Sequence, residues 1–403
     1  MKRRVAVTGI GLVSPHGDSH DAMFDALLSG RSAIARSTEG DAPPVAMARA
    51  PFDVTRWFTR LQLAGVDRVS QIAVAAAETA RVDAGLEALE EGSGVYVGTG
   101  MGGAAAIDQA FNVHRASGRV PPLTVPAFMP NAPAAHVAMR AGAHGPVLTY
   151  SVACASSAVA ISEAGRAVAR GDIECALAGG SEAPLVQSTV RAWQALQTLA
   201  SCDGENPSRA CRPFSKDRTG LVLGEGAAFV LLESLDAALA RGARIYAELA
   251  GSGYSCDATH LTKPDASGQV RALTAALRDS GLSPTDIGYC NAHGTATLVG
   301  DVVECQALGR VWGDAIDELA VSSTKSMHGH LLGAAGALEA IVTVLALQRR
   351  CLPPNMHCGS QDPACGVSLV REPGTEAPKL RAAISNSFAF GGSNAVLVFR
   401  RMD

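Results

Sequence analysis

The sequence has few aromatic residues, little net charge and no closely spaced cysteine pair. Phe, Trp and Tyr make up only 4% of the 403 residues, whereas apolar residues make up 47%. The core must therefore be built mainly from Ala, Val, Leu and Gly, which suits closely packed helices and buried strands. A formal net charge of -4, with no Lys/Arg-rich run, argues against a nucleic-acid-binding protein.

The ten cysteines include no C-x-x-C pair, and no secretory leader is recognisable, so we expect a cytoplasmic protein. The basic start at Lys2-Arg3-Arg4 is followed by an apolar run, but glycines interrupt it and no cleavage site follows. No apolar stretch reaches about 18 residues without Gly or charge, which predicts that no segment spans a membrane. The spacing of Cys351, His357, Cys358 and Cys365 matches no common zinc motif, and no metal site is predicted.

Strand-like and helix-like patterns alternate along the whole chain, with no linker rich in Pro or Ser. They predict two similar α/β halves, residues 1–245 and 246–403, rather than two separate domains. Within the first half we expect Gly9 and Gly11 to begin a loop after a buried strand. Residues 126–142 are predicted to form one helix, and residues 36–66 a surface excursion of undefined form.

One thiol lies where an apolar strand pattern turns into an alanine-rich helix pattern. Cys154 follows Tyr150-Ser151-Val152-Ala153 and precedes the small residues Ala155-Ser156-Ser157. We expect Cys154 at a helix N-terminus, where the helix dipole and free backbone N–H groups favour the nucleophilic thiolate. The alternative for Cys154 is a small apolar residue buried in the core.

Two loop motifs far downstream supply groups that could act with this thiol. They are Asn291-Ala292-His293-Gly294-Thr295-Ala296-Thr297 and Ser323-Thr324-Lys325-Ser326-Met327-His328-Gly329-His330. One Cys, two histidines and a lysine form a plausible set for thioester chemistry. Alternatively, the histidines are hydrogen-bonded loop residues, and Lys325 chiefly forms an ion pair with Glu304.

Four motifs, in this order, resemble the signatures of β-ketoacyl-[acyl-carrier-protein] synthases of the KAS I/II-like condensing-enzyme group. The resemblance extends from the first strand to Phe399 and implies the thiolase fold, an α/β architecture with five αβαβα layers in two similar halves. The motifs are Val152-Ala153-Cys154-Ala155-Ser156-Ser157, Asn291-Ala292-His293-Gly294-Thr295, Ser323-Thr324-Lys325-Ser326 with Gly329-His330, and Asn386-Ser387-Phe388-Ala389-Phe390-Gly391-Gly392-Ser393-Asn394.

The resemblance also implies a decarboxylative Claisen condensation. An acyl group would move to Cys154, and malonyl-acyl carrier protein would lose CO2 and attack it. By position, His293, His330 and Lys325 would be catalytic, and the backbone N–H groups of Cys154 and the gate residue Phe390 would form the oxyanion hole. The substrate-binding positions would be Thr295, Thr297, Met101 and Phe388.

The resemblance implies no cofactor on this chain, because the carrier protein brings the phosphopantetheine. The expected partners are an acyl carrier protein and either a second copy of the chain or a chain-length-factor-like subunit. Arg60, Arg68 and Arg209 are the candidates for carrier-protein docking. Fatty-acid and polyketide or polyene elongation both remain open. A non-catalytic chain-length factor is the alternative function, although such subunits generally lack the nucleophile.

Overall fold

The computed structural model describes residues 2–37, 44–202 and 206–402. The helices are α1 (His20–Leu28), α2 (Arg68–Asp83), α3 (Ala104–Ser117), α4 (Thr124–Phe128), α5 (Ala132–Ala141), α6 (Ser156–Arg170), α7 (Gln187–Ala195), α8 (Leu235–Ala240), α9 (Ala266–Ser280), α10 (Gly300–Trp312), α11 (Lys325–His328) and α12 (Ala335–Arg349). The strands are β1 (Val5–Val13), β2 (Ala35–Ser37), β3 (Val45–Ala48), β4 (Gly94–Gly98), β5 (Val147–Tyr150), β6 (Cys175–Glu182), β7 (Leu223–Gly224), β8 (Gly226–Ser234), β9 (Ala247–Cys256), β10 (Tyr289–Asn291), β11 (Ala320–Ser322), β12 (Cys351–Leu352), β13 (Ser368–Leu369), β14 (Thr375–Glu376), β15 (Ala382–Phe388) and β16 (Ser393–Arg400).

Eleven strands form one continuous sheet in the order β13-β11-β10-β15-β16-β9-β1-β8-β6-β4-β5. Each half of the sheet repeats one pattern. β8 pairs antiparallel with β1 and with β6, and β6, β4 and β5 are parallel. In the same way, β16 pairs antiparallel with β9 and with β15, and β15, β10 and β11 are parallel. The prediction of two similar halves is confirmed, and the boundary at residue 245 stays a prediction.

The helices complete five layers around these two half-sheets. Helices α6 and α12 pack against each other between the half-sheets, α2 covers the outer face of the first, and α9 covers that of the second. The central helices lie close together because small residues face one another. A Cβ added to Gly336 would lie 2.9 Å from the Cβ of Ala158. The predicted αβαβα architecture is therefore confirmed, and the scarcity of aromatic residues follows from this dense middle layer.

The prediction that Gly9 and Gly11 begin a loop is wrong, because both lie inside β1. Helix α2 crosses this strand so closely that a Cβ at Gly9 would meet the Ala80 carbonyl oxygen at 2.2 Å. A Cβ at Gly11 would meet the Ala76 oxygen at 2.1 Å. These glycines permit close packing of a helix on a strand rather than a turn in the chain.

Two further segments differ from the sequence prediction. Residues 126–142 form parts of two helices, α4 and α5, because Pro130 disfavours helical geometry at the residue before it and lacks an N–H of its own. The segment 36–66 contributes β3, which pairs with β2 and β7. Residues 38–43 of this segment lie outside the described part of the chain.

One segment, Leu332–Arg349, is long and apolar enough by composition to cross a membrane. In the described structure 89% of this window is buried inside the protein. Helix α12, which makes up most of it, lies in the central layer and contacts helix α6 and strands of both half-sheets. Packing within the core thus accounts for its composition.

Candidate active site

Cys154 lies in a single 3-10 turn, residues 153–155, that leads directly into α6. Ala153 has a positive φ of 48°, which strains a residue with a side chain. Ser156 holds this turn, since its hydroxyl accepts from the Val152 N–H at 2.9 Å and donates to the Ala153 carbonyl at 2.6 Å. The predicted position of Cys154 at the start of a helix is confirmed.

The second half of the molecule repeats this turn before α12. Leu332 has a φ of 46°, and residues 332–334 form a 3-10 turn that leads into the helix. The chain just before this turn carries His330, whose backbone N–H donates to the Val222 carbonyl at 2.6 Å. The two related turns thus meet in the central layer and bring the thiol and this histidine together.

Cys154, His293 and His330 form a compact triad. The Nε2 atom of His330 lies 3.0 Å from the Cys154 Sγ. The histidine rings are 5.4 Å apart and nearly perpendicular, and one ligand-type atom from each of the three residues lies within 4.8 Å of the others. The Nδ1 atoms of both histidines are buried without a hydrogen-bond partner in the described structure. The arrangement therefore presents two imidazoles to a single sulfur atom.

The expected thiolate is not what this environment favours. Burial raises the pKa of the Cys154 thiol to about 12, although the Lys325 charge and the backbone N–H of Phe390 act in the opposite direction. Burial also lowers the pKa of His293 and His330 well below the usual range, and the Lys325 charge lowers both further. At neutral pH the resting site therefore holds a thiol beside two neutral imidazoles, and its proton must leave through His330.

The predicted ion pair between Lys325 and Glu304 is wrong. Lys325 is fully buried, and its Nζ pairs with the buried carboxylate of Glu339 on α12. Glu304 instead accepts the backbone N–H groups of His293 and Gly294, each at 2.8 Å, and the side-chain amide of Asn386 at 3.0 Å. Glu304 thus fixes the loop that carries His293, whereas Lys325 supplies a positive charge beneath both histidines.

Sequence reasoning missed three residues that shape the site, namely Glu339, Asn386 and Glu182. Glu182 is fully buried and accepts the backbone N–H groups of Gly100, Met101 and Gly333 at 2.6, 2.9 and 2.9 Å. It therefore joins the end of β6 to the turn before α12. A lone acidic residue within an apolar segment was the available signal for both Glu182 and Glu339, because buried carboxylates need partners.

A cavity of about 340 Å³ opens onto Cys154, His293 and His330. Four of the predicted positions line it: Thr295, Thr297, Phe388 and Phe390. The two threonine hydroxyls lie 3.1 Å apart, the Phe388 ring lies 6.2 Å from His293, and the Phe390 ring stacks on Trp193 at 6.1 Å. Met101 is not among the lining residues. Its role at an acyl pocket stays a prediction.

Comparison with known proteins places this geometry in a family. The profile of the β-ketoacyl synthase N-terminal domain matches residues 2–238, and that of the C-terminal domain matches residues 246–359. The chain belongs to the β-ketoacyl synthase family. This ketosynthase is 39% identical to the 3-oxoacyl-[acyl-carrier-protein] synthase 2 of Vibrio cholerae, and the match covers 100% of both chains.

Two solved structures extend the comparison. The ishigamide ketosynthase/chain length factor superimposes with a TM-score of 0.93 at 33% identity, over 100% of both chains. A type II polyketide synthase acyl carrier protein in complex with its ketosynthase bound to the hexaketide gives a TM-score of 0.91 at 29% identity, again over 100% of both chains. The ketosynthase described here has the thiolase fold that its sequence motifs predict.

The triad is the one group in the described part of this ketosynthase whose ligand atoms could share a metal ion. The buried positive charge of Lys325 acts on all three residues and opposes a bound cation. The prediction of no metal site is not tested by this arrangement and stays a prediction.

His328 gives the ketosynthase a testable pH response. The ring is buried and makes two hydrogen bonds: Nδ1 with the Gly329 carbonyl at 2.8 Å, and Nε2 with the Thr324 hydroxyl at 3.0 Å. Burial lowers the pKa of His328 to about 3. Because the unfolded histidine takes up a proton near pH 6.5 and the folded one does not, its contribution to stability falls as the pH drops below 6.5. We expect the advantage of the wild type over His328→Gln in urea unfolding to shrink by up to roughly 1.4 kcal/mol per pH unit between pH 6 and pH 4. A pH-independent difference would contradict this prediction.

Proposed function

We propose that this ketosynthase condenses a Cys154-bound acyl group with the malonyl group of malonyl-acyl carrier protein, giving 3-ketoacyl-carrier protein and CO2. The observation that carries the proposal is the 3.0 Å contact between Cys154 Sγ and His330 Nε2, with His293 beside both. A nucleophile, its base and a second imidazole N–H in one buried cavity are the groups that this reaction needs.

The first step transfers the acyl group. The Cys154 thiol passes its proton to His330 Nε2, and the sulfur attacks the carbonyl carbon of the incoming thioester. The backbone N–H groups of Cys154 and Phe390 bind the oxyanion that forms. The imidazolium of His330 then protonates the departing carrier-protein thiol, so that Cys154 ends as a thioester and His330 is neutral again.

The second step uses both histidines as hydrogen-bond donors. Before this step the proton of the neutral His330 ring moves from Nδ1 to Nε2 by exchange with water, so that an N–H faces the cavity. Malonyl thioester in the same cavity then loses CO2, and the bonding electrons form an enolate whose oxygen accepts the imidazole N–H groups of His293 and His330. The enolate carbon attacks the carbonyl carbon of the Cys154 thioester, and the new C–C bond forms. The C–S bond breaks with its electron pair on the sulfur, and the released Cys154 thiolate takes up a proton from water, which restores the thiol. Burial, and to a smaller extent the Lys325 charge, lowers the pKa of both rings well below the usual range, so both are neutral donors at physiological pH.

The proposal is tested by intact mass after incubation with a panel of acyl-carrier proteins, followed by malonyl-carrier protein. Wild type is expected to gain one acyl group and to release the extended 3-ketoacyl product, whereas Cys154→Ala should do neither. The best-loaded acyl group separates fatty-acid from polyketide or polyene elongation. Adducts that persist in Cys154→Ala would overturn the assignment of the nucleophile, and an unreactive wild type would favour the chain-length-factor alternative.

Carrier-protein docking is proposed at a basic cavity beside the active-site cavity. Arg209, Arg212, Lys216 and His357 line it together with Asp217, which pairs with Arg212 at 2.7 Å. Both cavities share Thr219. Burial together with the charges of the two arginines lowers the pKa of His357 to about 4. A carrier protein bearing acidic groups would meet these arginines while its arm reaches Cys154.

Among the other docking candidates, Arg68 already has a structural partner. It pairs with the buried Glu225 at 2.8 Å and bonds the Ala50 carbonyl at 2.9 Å. Arg60 is exposed.

Reversing the charge at Arg209 tests the docking proposal. We expect Arg209→Glu to lower kcat/KM for an acyl-carrier protein roughly tenfold at low salt, because it weakens electrostatic steering. The corresponding acyl-pantetheine should react at the wild-type rate. Arg278→Glu, at an exposed position that lines neither cavity, is the matched control. An equal loss for both substrates would contradict docking at this site.

We further propose that the chain forms a homodimer through β5. This strand is the edge of the large sheet, and its Val147 and Leu148 are exposed. An apolar edge with free backbone groups pairs readily with another strand, and two copies can pair antiparallel about a two-fold axis. Light scattering should therefore give twice the 41.3 kDa of one chain. A mass of 41.3 kDa for the isolated chain would point to a different partner subunit.

We also propose that the protein is cytoplasmic. All ten cysteines are unpaired, as expected where thiols stay reduced.

A further inference from the structure

One wall of the active-site cavity holds a buried hydrogen-bond acceptor with no partner. Gln269 lies near the start of α9 and is 1% exposed. Its Oε1 atom makes no hydrogen bond within the described structure, although the residue lines the cavity that contains Cys154 and His293. Buried side-chain acceptors are normally paired, so the absence of a protein partner requires an explanation.

A molecule bound in the cavity could supply the hydrogen-bond donor that Gln269 lacks. A glutamine buried in a protein wall loses its hydration, and this loss is recovered only when a donor reaches its carbonyl oxygen. No described protein group does so, and Oε1 is itself shielded from solvent, but Gln269 lines the cavity, so a turn of its side-chain amide brings this oxygen to a donor held there. Gln269 is therefore placed to accept a hydrogen bond from a donor group on the substrate.

The chemistry of the substrate limits which part can supply that donor. This argument rests on the proposed function, in which a pantetheine thioester enters the cavity. An aliphatic acyl chain has no N–H or O–H group, whereas the pantetheine arm carries two amide N–H groups and, farther from the sulfur, a pantoyl hydroxyl. The amides are nearer to the thioester that must reach Cys154 in the same cavity. Thr295 and Thr297 line the same cavity, and Met101, the predicted acyl-pocket residue, lies outside the lining. The cavity is lined mostly by apolar side chains, and Gln269, Thr295 and Thr297 are among the few polar groups that could orient an amide-bearing arm.

We propose that Gln269 binds the pantetheine arm, with its Oε1 accepting a hydrogen bond from an arm amide N–H. This contact fixes how far the arm enters, and so sets the thioester carbonyl against Cys154 and the two histidines. It makes Gln269 a substrate-binding residue that recognises the carrier of the acyl group rather than the acyl group itself.

The test varies the arm and the residue together. The Gln269→Met variant keeps the length of the side chain and removes its acceptor. Acyl transfer to Cys154 is measured with one acyl group on three thiols: pantetheine with two amides, N-acetylcysteamine with one, and ethanethiol with none. We expect Gln269→Met to lower kcat/KM roughly five- to tenfold with pantetheine, and to leave the ethanethiol thioester unchanged. A loss that extends to N-acetylcysteamine assigns the bond to the amide nearer the sulfur, and a loss confined to pantetheine assigns it to the outer amide or the pantoyl hydroxyl.

Two further variants make the result specific. Gln194→Met is the matched control, because the Oε1 of Gln194 is also buried without a partner but Gln194 does not line the cavity. It should show no dependence on the amides. Gln269→Glu retains an acceptor at the same position and should retain the preference for the amide-bearing thioesters.

An equal loss with all three thiols would overturn the proposal, because it would indicate a packing role or recognition of the acyl chain. Unchanged kinetics of Gln269→Met with pantetheine would overturn it as well. Either result leaves the condensation proposal standing as long as the wild type acquires the acyl group at Cys154. A wild type that acquires no acyl group from any thioester would instead overturn the proposed function.

Discussion

In a His330→Asn variant, acyl transfer to Cys154 is expected to fall about 100- to 1,000-fold. Burial raises the pKa of this thiol to about 12, and His330 Nε2, at 3.0 Å, is the base in contact with its sulfur. In the variant this imidazole is gone, so it cannot take the thiol proton as the sulfur attacks the thioester. Mass spectrometry of the acyl-enzyme over time, with acyl-pantetheine as the donor, measures this step separately from condensation.

The His293→Asn variant is expected to separate the two half-reactions. His293 makes no hydrogen bond to the sulfur, so acyl transfer should stay within a few-fold of the wild-type rate. Release of CO2 from malonyl-carrier protein by the acyl-enzyme should fall about 100- to 1,000-fold, because one of two donors to the enolate is lost. His328→Gln, a change at a buried imidazole that does not line the cavity, should keep both rates. Equal losses in both half-reactions for His293→Asn would contradict the assigned roles.

Lys325→Met is expected to destabilise the protein by about 3–5 kcal/mol, because it leaves the buried Glu339 carboxylate without its positive partner. In the double variant Lys325→Met/Glu339→Gln the unpaired charge is gone, and most of the lost stability should return. Urea unfolding of the wild type, Lys325→Met, Glu339→Gln and the double variant gives the coupling energy directly. Lys379→Met, at an exposed position, is the control and should change stability little.

The same substitution should alter the pH dependence of condensation. The Lys325 charge lowers the pKa of His293 and His330, so its removal raises both values. The rings then become protonated at a higher pH, and the acidic limb of the rate profile should move upward. Burial raises the pKa of Glu339 to about 7 even beside Lys325, and loss of the lysine raises it further, so Glu339 is protonated over the acidic limb of Lys325→Met. The double variant should therefore show the same shift as Lys325→Met. An unchanged acidic limb would show that the lysine does not set the charge state of the histidines.

The nucleophile and its two histidines could be identified from short local motifs. Each lies in a loop or turn flanked by small residues, and the order of the motifs along the chain carried the family resemblance. The alternation of strand and helix patterns predicted two α/β halves, and the family resemblance implied their five layers. Sequence alone was less informative where partners are far apart in the chain. Lys325 could pair with any buried carboxylate, and only the approach of α12 selects Glu339 over Glu304.

Gly9 and Gly11 are a second case in which the sequence alone predicted the wrong local structure. From the sequence, Gly9 and Gly11 indicate a break after a strand, because glycine favours turns. In the structure they continue β1 under α2, where any Cβ would meet a backbone oxygen of the helix. The apolar pattern of a strand cannot show that a helix some 70 residues later in the chain will pack directly on it.

The sequence by itself determined the succession of strands and helices, the small residues of the central layer and the chemical types at the active site. These depend on local periodicity and on residue identity. The tertiary structure decided the charge state of Cys154, the partner of Lys325 and the unpaired acceptor of Gln269. These properties depend on burial and on distances between residues remote in the chain, because a pKa and a hydrogen bond are set by the neighbours in space.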